Sequence, residues 1–369
     1  MKLLVLAQTP PPEHGQSRAV RELLNDLRAD PKNQIFHVNL HLSRNTADIG
    51  RWRPGKILAL LGASLRAAWL QLRHGPMPLY YVPAPAKRAA LYRDWIALAI
   101  CRPLSRGLVL HWHAVGLGEW LDTHATPIER WLTRRLLGRA RLAIVLADAL
   151  RWDAERLAPR QCQIVPGGVR DRAPGFHRER RTGASLEILF LGLGCREKGL
   201  FDSLEGVALA QRSGLACRLT IAGAFADAEA ERFFRGQAAA LDPATVRHLG
   251  FVSDAECSSL LGASDVLCFP TYYPHEGQPA VLLDALAFDL PVITTRWRAI
   301  PDMLPVNHGR IRFVEPRQPA QIAAALSDFR VAPPSDGSLR AHFLAHFTQE
   351  KNLAALTAAF RVLDSNAHK

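Results

Sequence analysis

No stretch of this 369-residue chain is apolar and uncharged for about 18 residues, the length that a membrane-spanning helix needs. Residues 57–71 come nearest, and Arg66 interrupts them. The start, MKLLVLAQTPPPEHGQS, is too briefly apolar for a secretory leader and reads as a first strand and loop. Six scattered cysteines form no Cys-x-x-Cys pair and no Cys/His cluster at metal-ligand spacing. That argues against a structural zinc site or a redox dithiol, and reduced cytosolic thiols are expected. No G-x-G-x-x-G fingerprint follows a strand, so nicotinamide binding is not expected. There is no low-complexity segment, and no repeat beyond a β-α rhythm.

What is present is a globular composition, 48% hydrophobic and 22% charged, with enough length for two domains. Acid is scarce in the first half. Residues 1–165 hold 24 Lys+Arg against 12 Asp+Glu, while residues 166–369 hold 22 of each. All of the net charge of +12 therefore lies N-terminally. An anionic partner is expected there: a membrane surface, a phospholipid-linked acceptor or nucleic acid. Arginines such as Arg51, Arg53, Arg88, Arg93, Arg134 and Arg135 mix with Trp52, Trp112, Trp120 and Trp131. That mixture suits the headgroup zone of a bilayer. A solvated basic face with no partner is the alternative.

Strand-like and helix-like patterns alternate along the chain, which predicts an α/β protein with parallel sheets covered by helices on both faces. The first domain is read as residues 1–169. A charged, aperiodic tract at 170–183 is read as a linker. The second domain is read as 184–340, followed by a helical C-terminal segment, 341–369.

Three loops carry candidate chemistry. The most informative lies in residues 265–295, which read as strand, loop, helix, strand. Pro279 suits a helix start, and free N–H groups there favour an anion. Glu276 stands in the loop, and Asp284 points from about the second helical turn. A second loop, Gly192 to Gly199, follows the strand Leu186–Leu191 and places Lys198 at a helix start. A third, Pro10 to Ser17, follows the first strand and contains Gly15 and Gln16. His111 and His113 alternate onto one side of the strand GLVLHWH, with Trp112 opposite. Each has an ordinary structural alternative: a surface acid, a solvated lysine, a proline-stiffened turn, or a histidine in a polar cluster.

The 265–295 segment resembles the Glu-x7-Glu motif of the retaining glycosyltransferases with two Rossmann-like domains, the GT-B fold. That large family includes sucrose synthases and many bacterial polysaccharide and lipopolysaccharide transferases. The resemblance implies two Rossmann-like domains facing across a cleft, with the last helix crossing back to the first domain. It implies that Glu276 and the backbone of Gly277, Gln278, Pro279 and Ala280 face the donor sugar. Asp284 would hold the ribose, although Asp replaces the usual Glu. Lys198, with Gly199 behind it, matches a phosphate-binding lysine. The family's arginine position holds Leu193, and Arg196 is a candidate substitute. Gly15 and Gln16 match the N-terminal donor loop, and His113 matches a histidine near the reacting carbon. Arg296-Trp297-Arg298-Ala299-Ile300-Pro301-Asp302 stands where the family has a glycine-rich loop, and altered ligand contact is expected there. Asp289 stands where a helix-ending glycine is common.

The resemblance further implies sugar transfer from a nucleotide-diphosphate sugar to a glycan or lipid-linked acceptor, with retention and without a metal. Cell-surface polysaccharide or lipopolysaccharide synthesis is the expected setting. The basic first domain would rest on an anionic membrane, so a cytoplasmic protein peripheral to the inner face of the cytoplasmic membrane is expected, with no nucleic-acid partner. A nucleotide-sugar 2-epimerase of the same fold and a non-enzymatic basic membrane- or nucleic-acid-binding protein are the alternatives. The first would need further acids from the first domain, where Glu13, Asp94 and Glu119 form no evident set.

Overall fold

The computed structural model describes residues 1–11, 15–42, 53–179, 185–242, 244–330 and 335–363. Glu13, Arg51, Trp52, residues 180–183 of the expected linker and residues 364–369 lie outside the described residues. The chain forms two compact units, Met1–Pro166 with Asn352–Lys369, and Gly167–Lys351.

In the first unit the order is β1 (Lys2–Ala7), α1 (Gly15–Ala29), β2 (Gln34–Asn39), α2 (Pro54–His74), β3 (Leu79–Tyr81) and α3 (Arg88–Cys101). Then come β4 (Leu108–His111), α4 (Leu117–Thr123), α5 (Pro127–Leu136), β5 (Leu142–Val145), α6 (Arg151–Glu155) and β6 (Cys162–Ile164). The strands pair in the order β2-β1-β3-β4-β5-β6, all parallel. The four inner strands, β1, β3, β4 and β5, are apolar and buried at nearly every position because parallel strands are covered on both faces, while the edge strands β2 and β6 are largely half-buried. Leu3, Val5 and Ala7 face one core together with Val20, Leu24 and Leu27 of α1. Tyr81, from the opposite face, donates to Asp94 of α3 at 2.7 Å. Helix α5 starts at a capping box, where Thr126 and Glu129 exchange bonds between side chain and backbone.

The second unit contains β7 (Leu186–Leu191), α7 (Leu200–Arg212), β8 (Cys217–Ala222), α8 (Ala228–Ala238), β9 (Val246–His248), α9 (Asp254–Ala263) and β10 (Val266–Phe269). It continues with α10 (Ala280–Ala287), β11 (Val292–Thr295), α11 (Ile300–Met303), β12 (Ile311–Val314), α12 (Pro319–Arg330) and α13 (Ser338–His346). Its strands run in the order β12-β11-β10-β7-β8-β9, again all parallel. The α/β class with two parallel sheets is thus the one expected. In each sheet the strand order reverses once, between β1 and β3 and between β7 and β10. Loops at the carboxyl ends of those strands flank the crevice where open sheets bind ligands.

Several boundaries differ from expectation. Strand β4 stops at His111 rather than His113; Trp112 N–H still donates to Ile144 O of β5 at 2.8 Å, and its indole N–H reaches Asp153 at 3.1 Å. The C-terminal stretch is two helices, α13 and α14 (Gln349–Phe360). Val169 separates them by taking the carbonyl of Phe347 at 3.0 Å and giving its own to the Gln349 N–H at 3.1 Å. Beyond that break the chain joins the first unit, where Leu356, Ala359, Phe360 and Leu363 enter the core with α1. Residues 170–179 are tied to the second unit. Asp171 pairs with Arg340 at 2.7 Å, and the Arg178 guanidinium caps the carbonyls of Leu261, Ser264 and Phe288.

Candidate functional site

The candidate site begins at the order reversal of the second sheet, where the loops after β7 and β10 are neighbours. The β7 loop leaves through Gly192 and reaches α7 at Gly199, whose φ is 80°. A Cβ on Gly199 would lie 2.4 Å from the Pro270 carbonyl oxygen, so only glycine lets the two loops approach this closely. Tyr272 N–H then donates to the Glu197 carbonyl at 2.8 Å and locks them together. From the other side, Thr294 donates to Phe269 O at 2.9 Å and the Trp297 indole donates to Tyr273 O at 2.8 Å.

This framework brings two predicted residues together across 78 positions of sequence. Lys198 Nζ donates to Glu276 Oε2 at 2.7 Å, and the two side chains are 17% and 8% exposed. The ammonium also lies 4.7 Å from the Tyr273 ring centroid and 5.6 Å from that of Phe269. Thr271, fully buried, donates to the same Glu276 oxygen at 2.9 Å. Both described donors therefore go to Oε2. Pulling a carboxylate and an ammonium this far out of water is costly unless hydrogen bonds compensate. Thr271 and the aromatic walls supply that compensation.

Helix α10 follows at once. Pro279 is its N-cap, one position before the expected first turn, and it offers no side-chain cap. Leu282 N–H closes on the Pro279 carbonyl at 3.1 Å, and the N–H groups of Ala280 and Val281 are left as the positive end of the helix. Gln278 accepts from Gly167 N–H at 2.7 Å, which fixes the loop just before the helix. Asp284 is buried, 8% exposed, in the second turn of α10. Arg196 is exposed and rests its guanidinium 4.8 Å from Phe233 and 5.4 Å from Phe201. Arg296 lies 4.3 Å over Phe313, and Arg298 takes a φ of 50°, so this loop keeps a left-handed turn without glycine. Asp289 also has positive φ, 49°, and uses its carboxylate as no glycine could: it accepts from Leu339 and Arg340 N–H and pairs with Arg310 at 2.6 Å.

In the first unit, Gly15 and Gln16 are the first residues of α1, Gly15 exposed and Gln16 half-buried. His113 is half-buried beyond β4 and stacks on His111 with ring centroids 4.2 Å apart. The two imidazoles do share a side, as the alternation required. His111 Nδ1 lies 2.7 Å from the Tyr80 hydroxyl. Burial pushes the Tyr80 phenol far above its usual range, so it donates and Nδ1 accepts. Burial, then the neighbouring His113, holds His111 well below the ordinary histidine range, and it is neutral at pH 7.

Sequence reasoning missed Thr271 and Tyr273. Neither has a spacing rule to Glu276, and only the folded loop shows that one hydroxyl and one ring face the Lys198–Glu276 pair. Burial pushes the thiols of Cys101 and Cys268 up to about 12 and that of Cys217 to about 11, so these three are poor nucleophiles at neutral pH. Among the described residues, no group of three His, Cys, Asp or Glu could hold a metal ion, and no helix is long and apolar enough to cross a membrane.

Residues 185–329 match the family described as Glycosyl transferases group 1. This span lies within the second unit and covers the Lys198 and Glu276 loops. The whole chain has the GT-B fold. It superposes on sucrose-phosphate synthase from Thermosynechococcus elongatus with a TM-score of 0.74 at 15% identity, over 100% of both chains. Against Anabaena HepE, solved in complex with UDP and glucose, the TM-score is 0.69 at 15% identity, over 98% and 99% of the chains. Among curated proteins, it is 28% identical over 213 residues to the putative colanic acid biosynthesis glycosyltransferase WcaL of Salmonella typhimurium, covering 56% of this chain and 51% of that one. It is 24% identical over 208 residues to the putative teichuronic acid biosynthesis glycosyltransferase TuaC of Bacillus subtilis, covering 53% and 48%. The chain spans about half the length of these curated relatives. Its fold and the match over residues 185–329 make the chain similar to glycosyltransferases.

Proposed function

We propose that the protein transfers a sugar, with retention at the anomeric carbon, from a nucleotide-diphosphate sugar to a glycan or lipid-linked acceptor in cell-surface polysaccharide or lipopolysaccharide synthesis. The observation that carries this reading is the Lys198–Glu276 pair, 2.7 Å apart at the order reversal of the second sheet and beside the uncapped start of α10. A binding surface for anions alone would gain nothing from a buried carboxylate. A ligand with both hydroxyls and a diphosphate uses every part of the arrangement.

In this reading Glu276 keeps Oε2 on Thr271 and offers Oε1 to a sugar hydroxyl. Lys198 and the first-turn N–H groups of α10 meet the diphosphate. As the C1–O bond breaks, negative charge grows on the leaving phosphate, and preorganised positive groups stabilise it. The acceptor oxygen bonds C1, and its proton passes to the departing phosphate. Asp284 would hold the ribose. Gly15, Gln16 and His113 would serve from the first unit, and Arg196 would swing from its aromatic seat to the phosphates. No metal is needed for these steps. The relatives named for colanic and teichuronic acid synthesis support the polysaccharide setting, and the basic first unit supports an acceptor on an anionic membrane surface at the cytoplasmic face.

The test is turnover of a panel of nucleotide-diphosphate sugars, with and without lipid extract as acceptor. Release of nucleoside diphosphate from one donor is expected, accelerated by acceptor. No release from any donor, with or without lipid, would overturn the reading.

A further inference from the structure

Helix α2 is turned inside out relative to an ordinary surface helix. Its buried residues are Leu60, Ser64, Ala67, Ala68 and Gln71, of which only Leu60 is large and apolar. Its outward side instead carries Leu58, Leu65, Trp69 and Leu72, which are 72%, 60%, 54% and 71% exposed. Spacings of seven, four and three residues put these four on one stripe. The rotation is fixed by specific polar contacts. Gln71 donates to the Met77 carbonyl at 3.2 Å and accepts its N–H at 2.7 Å. The Ser64 carbonyl takes the Cys101 thiol of α3 at 3.4 Å. Large apolar side chains are therefore held in water by design of the inner face.

The charge around the stripe selects the occupant. Helix α2 contains no acid. Arg66 and Arg73 are exposed, neither meets a carboxylate among the described residues, and Arg73 lies 5.7 Å over the Trp69 ring. Helix α3 packs against both α2 and α5, and α5 exposes Ile128 and Trp131 among Arg130, Arg134 and Arg135. A second copy of the chain would bring like charge against like charge, since the whole excess of +12 lies in residues 1–165. An anionic lipid surface takes both the apolar stripe and the arginines.

We propose that the outward face of α2 is the element that docks the protein on an anionic bilayer. The helix lies in the headgroup plane, with Leu58, Leu65, Trp69 and Leu72 entering the acyl boundary and Arg66 and Arg73 meeting lipid phosphates. This rests on the membrane reading given above and assigns it to one face.

The experiment is co-sedimentation of the full chain with vesicles of phosphatidylcholine alone or mixed with phosphatidylglycerol, at low and high salt. The wild type binds the mixed vesicles and is released by salt. Leu65→Ser/Trp69→Ser weakens binding at least about tenfold, as loss of two buried apolar side chains requires. Leu58→Ser/Leu72→Ser does the same. Unchanged thermal unfolding shows that these exposed sites do not disturb the fold. Arg66→Ala/Arg73→Ala reduces the salt dependence. If the wild type binds and both double variants bind equally well, this face is wrong and the membrane reading survives. If the wild type ignores anionic vesicles, both fall. If size-exclusion chromatography shows a dimer that Leu65→Ser/Trp69→Ser dissolves while vesicle binding is unchanged, a second copy covers the face and the proposal fails.

Discussion

Glu276 is held by one oxygen and left usable by the other, and this asymmetry predicts its mutational behaviour. Glu276→Gln keeps the size and can still accept from Thr271, so thermal stability should change little. Sugar transfer should drop by at least about a hundredfold, the scale of losing one preorganised polar group in a reacting site; wild-type turnover would remove Glu276 from the chemistry. His111 makes a prediction about pH. Its folded value is depressed, and its unfolded value lies near the ordinary 6.5. Above that pH both states are neutral. As pH falls below it, the unfolded chain takes up a proton that the folded chain refuses, so stability falls. His111→Asn, which keeps an acceptor for Tyr80, should flatten that decline in urea unfolding between pH 7 and 5. A decline as steep as that of the wild type would contradict the assignment. At this scale the candidate groups were legible as residue types: an acid and a lysine, each in a loop between a strand and a helix. Their 2.7 Å contact was not legible, because nothing local relates positions 198 and 276.

The elements owe their positions to a few backbone requirements. Gly199 is the sharpest, since its positive φ and its approach to Pro270 both exclude a side chain. Gly199→Ala should cost on the order of 3 kcal/mol, from backbone strain and from displacing a carbonyl. Thermal unfolding would read that loss, and nucleoside diphosphate binding should weaken because the Lys198 loop moves. A stability change under about 0.5 kcal/mol, the range of an ordinary surface substitution, would refute the constraint. Most strands and helices could be read from apolar runs and helical spacing. The breaks that could not be read have side-chain or long-range causes. Asp153 anchors the Trp112 indole just beyond β4, and Val169 interrupts the final helical stretch. Such partners lie 41 or more positions away and leave no periodic trace.

At the scale of the molecule, the chain's last helix completes the first unit's core rather than the second's. Phe360 is buried against Tyr80, with ring centroids 6.4 Å apart. Phe360→Ala should destabilise the first unit by about 3–5 kcal/mol in denaturant unfolding, leaving the nucleotide binding proposed for the second unit near normal at low denaturant. Loss of nucleotide binding in step with that core would contradict this division of labour. The charge asymmetry was plain in the sequence, whereas the inverted burial of α2 needed coordinates, because its apolar stripe reads like any core-facing one. The account rests on the second unit gripping a diphosphate through Lys198, and calorimetric titration of Lys198→Ala tests this most directly. A nucleoside diphosphate should bind at least about tenfold more weakly than to the wild type, as loss of a charged hydrogen bond requires, while the parent nucleoside binds as before. Equal losses for both ligands, or no loss for either, would contradict it.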